Sequence, residues 1–228
     1  MKTENLSSEP VTANSVNTVL TAGNFKPILF STPMVQAILR GEKTQTRRII
    51  KINEGEKIEY DNSEFRKCFL IVGNGYIKAL KCKYKVGDIL WVRETWHPKR
   101  HSFPIGLHFE YKATAKEDGN PTDEPWKPSI FMPKEACRIF LKLKSIRIER
   151  LNDISENDSL QEGIQPFTKD NNLFKHGLDG WEWQSMTKYA KEAYKILWQK
   201  INGEKSWAEN PFVWVYEFER TDASFACS

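Results

Sequence analysis

Residues 138–151 read RIFLKLKSIRIERL. Ile139, Leu141 and Leu143 recur every second position, which is the side-chain period of a β-strand. Ile146 and Ile148 keep that period in the opposite phase. A one-residue slip turns every following side chain to the other face, so the pattern predicts a bulge or sharp bend near Lys144–Ser145.

Outward from this strand, other segments take the same form. KPILF (26–30) is a short apolar strand, and TQTRRII (44–50) alternates weakly as another. FLIVGNGYIKAL (69–80) reads as a hairpin turning at Asn74-Gly75. KVGDILWVRETW (85–96) gives a Gly87-Asp88 turn and then a strand from Ile89 to about Arg93, with Glu94 at its end. NPFVWVYEFER (210–220) closes the series with Phe212, Trp214, Tyr216 and Phe218 on one face. Residues 53–67 are charged and read as a loop. Residues 97–133 hold six prolines, and GLHFEYKA (106–113) is their one strand candidate.

Helix signals are fewer. Thr32 as N-cap, Pro33 at the first turn and Gly41 after the last bound a short helix in which Met34, Ala37 and Ile38 share a face. Ser155 with Asp158 three residues on is a capping box opening a helix closed by Gly163. The longest helix is predicted over 185–203, with Ser185 as N-cap and Ala190, Ala193, Leu197 and Ile201 as its apolar stripe. Strands outnumber helices without alternating regularly, which argues for an α+β fold rather than a parallel α/β sheet.

Of 228 residues, 39% are hydrophobic and eight are Trp, the composition of a chain that buries a core. A net charge of +4 permits an anionic partner without demanding one. Residues 1–24 are Ser-, Thr- and Asn-rich and read as a flexible tail. Residues 25–220 read as one domain with insertions near 97–133 and 165–184, and 221–228 as a C-terminal tail. No basic-then-apolar leader precedes Phe25 and no apolar run is long enough to span a bilayer, so a cytoplasmic chain with reduced thiols and no membrane is expected. Cys68, Cys82, Cys137 and Cys227 form no CxxC pair, and Pro98 breaks the HPKRH segment, so neither a metal nor another cofactor is expected.

Four stretches in this order carry a family resemblance: KPILFSTPMVQAILRGEKTQTRR (26–48), VGDILWVRETW (86–96), KPSIFMPKEACRIFLKLKSIRIERLNDISENDSLQEGI (127–164) and NPFVWVYEFE (210–219). Together they resemble the ASCH domain family, and within it the phage- and prophage-associated branch. The resemblance implies a PUA-like fold, a small β-barrel with flanking helices, whose cleft accepts RNA or a modified nucleobase. Some small members remove the acetyl group from N4-acetylcytidine with a Lys, a Thr three positions later and a Glu on a strand after a Gly-Asp turn. The matching positions are Lys43, Thr46 and Glu94.

Amide hydrolysis needs an activated nucleophile and a stabilised oxyanion. The Thr46 hydroxyl is nearly inert without a base within about 3 Å. Lys43 serves as that base if desolvation or neighbouring cations such as Arg47 and Arg48 lower its pKa. Glu94 then orients Lys43 or holds the cytosine's exocyclic nitrogen; its structural alternative is an ion pair with Arg47 or Arg93. Arg47, Arg48, Lys51 and Arg93 are the candidates for phosphate, and Trp96 for stacking on a base or packing under a loop. Lys188, Lys191, Lys195 and Lys200 read as the solvated face of the last helix.

Three functions compete. The first is recognition of RNA, single-stranded nucleic acid or a modified nucleoside. The second is an amidohydrolase acting on N4-acetylcytidine-like nucleosides. The third is a phage accessory protein without a ligand, in which Glu94 is paired and inaccessible.

Overall fold

In a computed structural model the described residues are 24–61, 68–102, 105–115, 125–168, 173–175 and 186–221. They form a mixed α+β fold in which strands predominate. The main sheet is built from β1 (Phe25–Leu29), β2 (Gln45–Ile49), β6 (Ile89–Arg93), β9 (Phe140–Arg150) and β12 (Phe212–Thr221), in the order β1-β6-β9-β12-β2. Only β1 and β6 run parallel. Three smaller sheets stand around it. β3 (Lys57–Asp61), β4 (Cys68–Gly73) and β5 (Tyr76–Ala79) form a meander, β7 (Trp96–Ser102) and β8 (Ile105–Tyr111) a hairpin, and β10 (Gln165–Pro166) and β11 (Phe174–Lys175) a short pair. The helices are α1 (Thr32–Leu39), α2 (Glu156–Gln161) and α3 (Ala190–Asn202).

The bulge expected near Lys144–Ser145 is present. β12 pairs Glu217 with Ser145 and the next residue, Phe218, with Leu143, so Lys144 is the unpaired extra residue. The kink keeps both halves of β9 in use: Leu141 and Leu143 before it, and Ile146 after it, belong to or pack against one core. The Asn74-Gly75 turn also stands, both residues at positive φ, the geometry of a tight two-residue hairpin.

Several expectations need correcting. A closed barrel is not formed among the described residues; the sheet ends at β1 and β2, and no backbone ladder joins them. Instead the Arg48 guanidinium reaches across and donates to the Leu29 carbonyl at 2.8 Å. Lys57–Asp61 is a strand, not a loop, because β4 supplies its partner. Trp96–Ser102 is a strand despite Pro98, paired with β8. On α1 the N-cap is Ser31, one residue before Thr32, and the buried side chains are Val35, Ala37 and Ile38.

α3 begins at Ala190, later than expected, and Ser185 lies outside the described residues, as do Trp181, Trp183, residues 1–23 and residues 222–228. Its start is fixed by another element: a Glu156 carboxylate oxygen accepts from the Ala190 and Lys191 backbone N–H groups at 2.7 and 3.3 Å. That carboxylate satisfies donors a helix start leaves open and faces the positive end of the dipole. The buried stripe is Ala190, Ala193, Tyr194, Leu197 and Trp198, whereas Ile201 is half exposed.

The sheet is covered on both faces. Tyr216 and Phe218, with Trp214 packed at the edge, face the core holding Leu90, Val92, Leu141 and α1. Val213 and Val215, pointing the other way, are fully buried beneath α3 with Leu151 and Ile154. No helix among the described residues is long and apolar enough to cross a membrane.

Candidate functional site

β2 is the strand on which the candidate residues converge, and its pleat sorts them. Thr46 and Arg48 lie opposite Tyr216 and Trp214 of β12, on one face; Gln45 and Arg47 lie opposite Glu217 and Val215, on the face covered by α2 and α3. Arg47 and Arg48, adjacent in sequence, therefore enter different environments.

Arg47 is buried in a cluster of carboxylates. Its guanidinium donates to Glu149 at 2.8 and 2.6 Å, to Asp158 at 3.2 Å and to Glu162 at 3.1 Å. The second carboxylate oxygen of Glu162 takes the Lys43 ammonium at 2.6 Å, and the Glu162 carbonyl takes it again at 2.8 Å. Arg147 adds bonds to Glu149 and Asp158 at 3.1 Å and a further one to Glu217. Gly163 makes this possible. It sits at φ +96°, and a Cβ there would lie 3.1 Å from the Ala37 Cβ and 3.4 Å from the Lys43 Cβ, so only glycine lets the end of α2 settle on Lys43.

Lys43 is 2% exposed, not part of a surface loop. Burial pushes its pKa below the usual lysine value, with Arg48 and Arg47 adding repulsion, while Glu162 pulls the other way. The carboxylate beside Lys43 is thus Glu162 and not Glu94. Glu94, 1% exposed, meets neither Arg47 nor Arg93; it forms a two-pronged pair with Arg138, both bonds at 3.0 Å. Burial raises its pKa and Arg138 partly offsets this. Glu162 escaped sequence reading because its partner is 119 residues away; the one available signal was its place at the end of the capped helix, directly before Gly163.

Trp96 packs in a small core with Met132 and Ala136, edge to Phe109 at 5.7 Å, and so takes the packing role rather than the stacking one. Arg93 is anchored to the Met132 carbonyl at 3.1 Å and also to the Ile130 carbonyl. Lys191, on the expected solvated face, reaches the Asn152 carbonyl at 2.6 Å.

Two cavities flank β2. The larger, about 1010 Å³, lies in the gap between the β1 and β2 edges and is walled by residues of β4 and β5. Its charged lining is Arg48, Lys51, Lys78, Lys81, Lys83 and Arg93, six cations and no carboxylate among the described residues. The partly exposed Trp214 gives it aromatic surface, with the buried Tyr84 and Tyr216 behind it. The smaller, about 240 Å³, is bounded by β2, α3 and Met34 of α1; Thr46, Glu162, Tyr194 and Trp198 line it, and Arg48 and Lys51 belong to both cavities. Chemically the pair offers a basic channel suited to anions and a tight, polar and aromatic recess beside it.

No family model matches the chain, and no curated protein or solved structure matches it.

Proposed function

We propose that the chain is an ASCH-type, PUA-like domain that binds single-stranded nucleic acid or a modified nucleotide, with phosphates in the larger groove and a base directed toward the smaller cavity. The observation that carries this reading is the groove's charge: six cations line it, Lys78 among them paired with Glu56, next to the partly exposed Trp214 ring. Such a lining attracts a polyanion and offers a face for stacking. Glu94, paired and inaccessible, is what a chain without a ligand would show; the open groove around Arg48 favours a ligand instead.

The test is anisotropy of a fluorescein-labelled uridine decamer. Affinity should fall with salt at a slope of about −0.7 per phosphate contacted. Arg48→Ala should weaken binding about tenfold, consistent with a charge-assisted hydrogen bond of about 1.5 kcal/mol or more. No binding at about 50 mM salt, where such contacts are strongest, rules the reading out.

A second reading has one specific observation in its favour. Lys43 is desolvated with its pKa lowered, and the Thr46 hydroxyl has no hydrogen-bond partner among the described residues. An N4-acetylcytidine amidohydrolase would use these two, with Glu162 as the carboxylate holding Lys43. Release of acetate from N4-acetylcytidine, lost in Thr46→Val, tests it; no release from the wild-type chain removes it.

A further inference from the structure

The smaller cavity is lined by three polar side chains, Trp198, Tyr194 and Thr46, of which one is a buried donor without a partner. The Trp198 indole N–H is buried without a partner. The hydroxyls of Tyr194 and Thr46 have none among the described residues either. The three residues are 4%, 3% and 1% exposed, and all line the same 240 Å³ space. More than nine in ten buried polar groups find a partner; the Trp198 N–H has none, and with the Tyr194 and Thr46 side chains lining the same recess it marks a place where a ligand supplies the missing acceptor.

The chemistry of the set narrows that ligand. An indole N–H only donates, and a phenol or hydroxyl donates readily. Burial, reinforced by Glu162, keeps the Tyr194 phenol neutral. Neutral donors suit a carbonyl oxygen, whereas an anion is better served by the guanidinium and ammonium groups of Arg48 and Lys51 at the rim. The volume suits one aromatic ring system, not a strand. Resting on the nucleotide-binding reading above, we propose that Tyr194 and Trp198 of α3 are specificity-determining residues: they donate to a ring carbonyl of a base seated against Thr46. Uracil, cytosine and guanine carry such a carbonyl; adenine has none.

The experiment is calorimetric titration of the full chain with uridine 5′-monophosphate and adenosine 5′-monophosphate. Wild-type protein should prefer the uridine nucleotide about tenfold, about what one or two hydrogen bonds supply. Tyr194→Phe and Trp198→Phe keep the rings and delete the donors. Each should weaken the uridine nucleotide about three- to tenfold and leave the adenosine nucleotide unchanged. Arg48→Ala should weaken both alike. A purely structural role for the two aromatics would shift both nucleotides together, so the ratio is the deciding readout.

Equal affinity of the wild-type chain for the two nucleotides overturns the inference. So does an unchanged ratio in both variants. If neither nucleotide binds while the uridine decamer does, the inference falls and the groove reading stands; if the decamer fails as well, both fall.

Discussion

Arg47 and Arg48 are neighbours on one strand with opposite fates. Arg47 is sealed under α2 and α3 against Glu149, Asp158 and Glu162. Arg48 is partly exposed, spans the gap between two sheet edges and lines both cavities. The strand's two-residue period alone separates them. A basic run in a sequence is therefore not one basic patch: alternate cations go to the architecture and to the open groove.

Substitution breaks or sharpens this contrast most directly. Arg47→Met removes the buried cation that Glu149, Asp158 and Glu162 share and leaves them only Arg147 and Lys43, at an expected cost of about 3 kcal/mol. Arg48→Met should cost less than about 1 kcal/mol, since its bonds are partly solvated. Its effect should appear in ligand affinity instead. Urea unfolding of the two variants side by side measures this. Equal losses would mean that the two faces of β2 do not differ in kind.

A smaller effect tests how the α3 face is assembled. Glu156→Ala deletes the carboxylate that accepts from the first backbone N–H groups of α3. Cap losses of this type cost about 1 kcal/mol. Because α3 carries Tyr194 and Trp198, amide exchange in its first turn should speed up before any global loss. Exchange confined to α2 would mean that α3 does not need this cap.

These contrasts also show what a sequence can reveal. Features set within a few residues were readable: the phase change at Lys144–Ser145, the Asn74-Gly75 turn, the Ser155–Asp158 cap and the strand ending at Arg93. Features set by distant partners were not. Lys57–Asp61 is charged and becomes a strand only because β4 lies beside it. α3 starts where Glu156 caps it, not where a local signal does. The candidate site followed the same rule. Lys43, Thr46 and Arg48 were identified as residue types, but the placement of Lys43 beside Glu162, and the carboxylates that meet Arg47, come from pairing across more than a hundred residues. Glu94 shows the converse. Its position at a strand end suggested a reactive group, and its actual partner, Arg138, lies on the chain just before the neighbouring strand β9.

The smallest expected effect concerns pH. Burial alone would raise the Asp158 pKa, but the hydrogen bond from Gln45 and the charges of Arg47 and Arg147 outweigh it and hold it below the usual 3.8. A carboxylate held low in the folded state binds fewer protons there than when unfolded. Its stabilising contribution is present in full above 3.8 and disappears as pH falls through the lower folded value. The stability difference between the wild-type chain and Asp158→Asn should therefore be level from neutral pH down to mildly acidic conditions, then shrink below that point. Urea midpoints across this range provide the check. A difference that persists unchanged in strong acid would mean that the Asp158 charge contributes nothing to the cluster around Arg47, and that Glu149 and Glu162 hold the arginine without it.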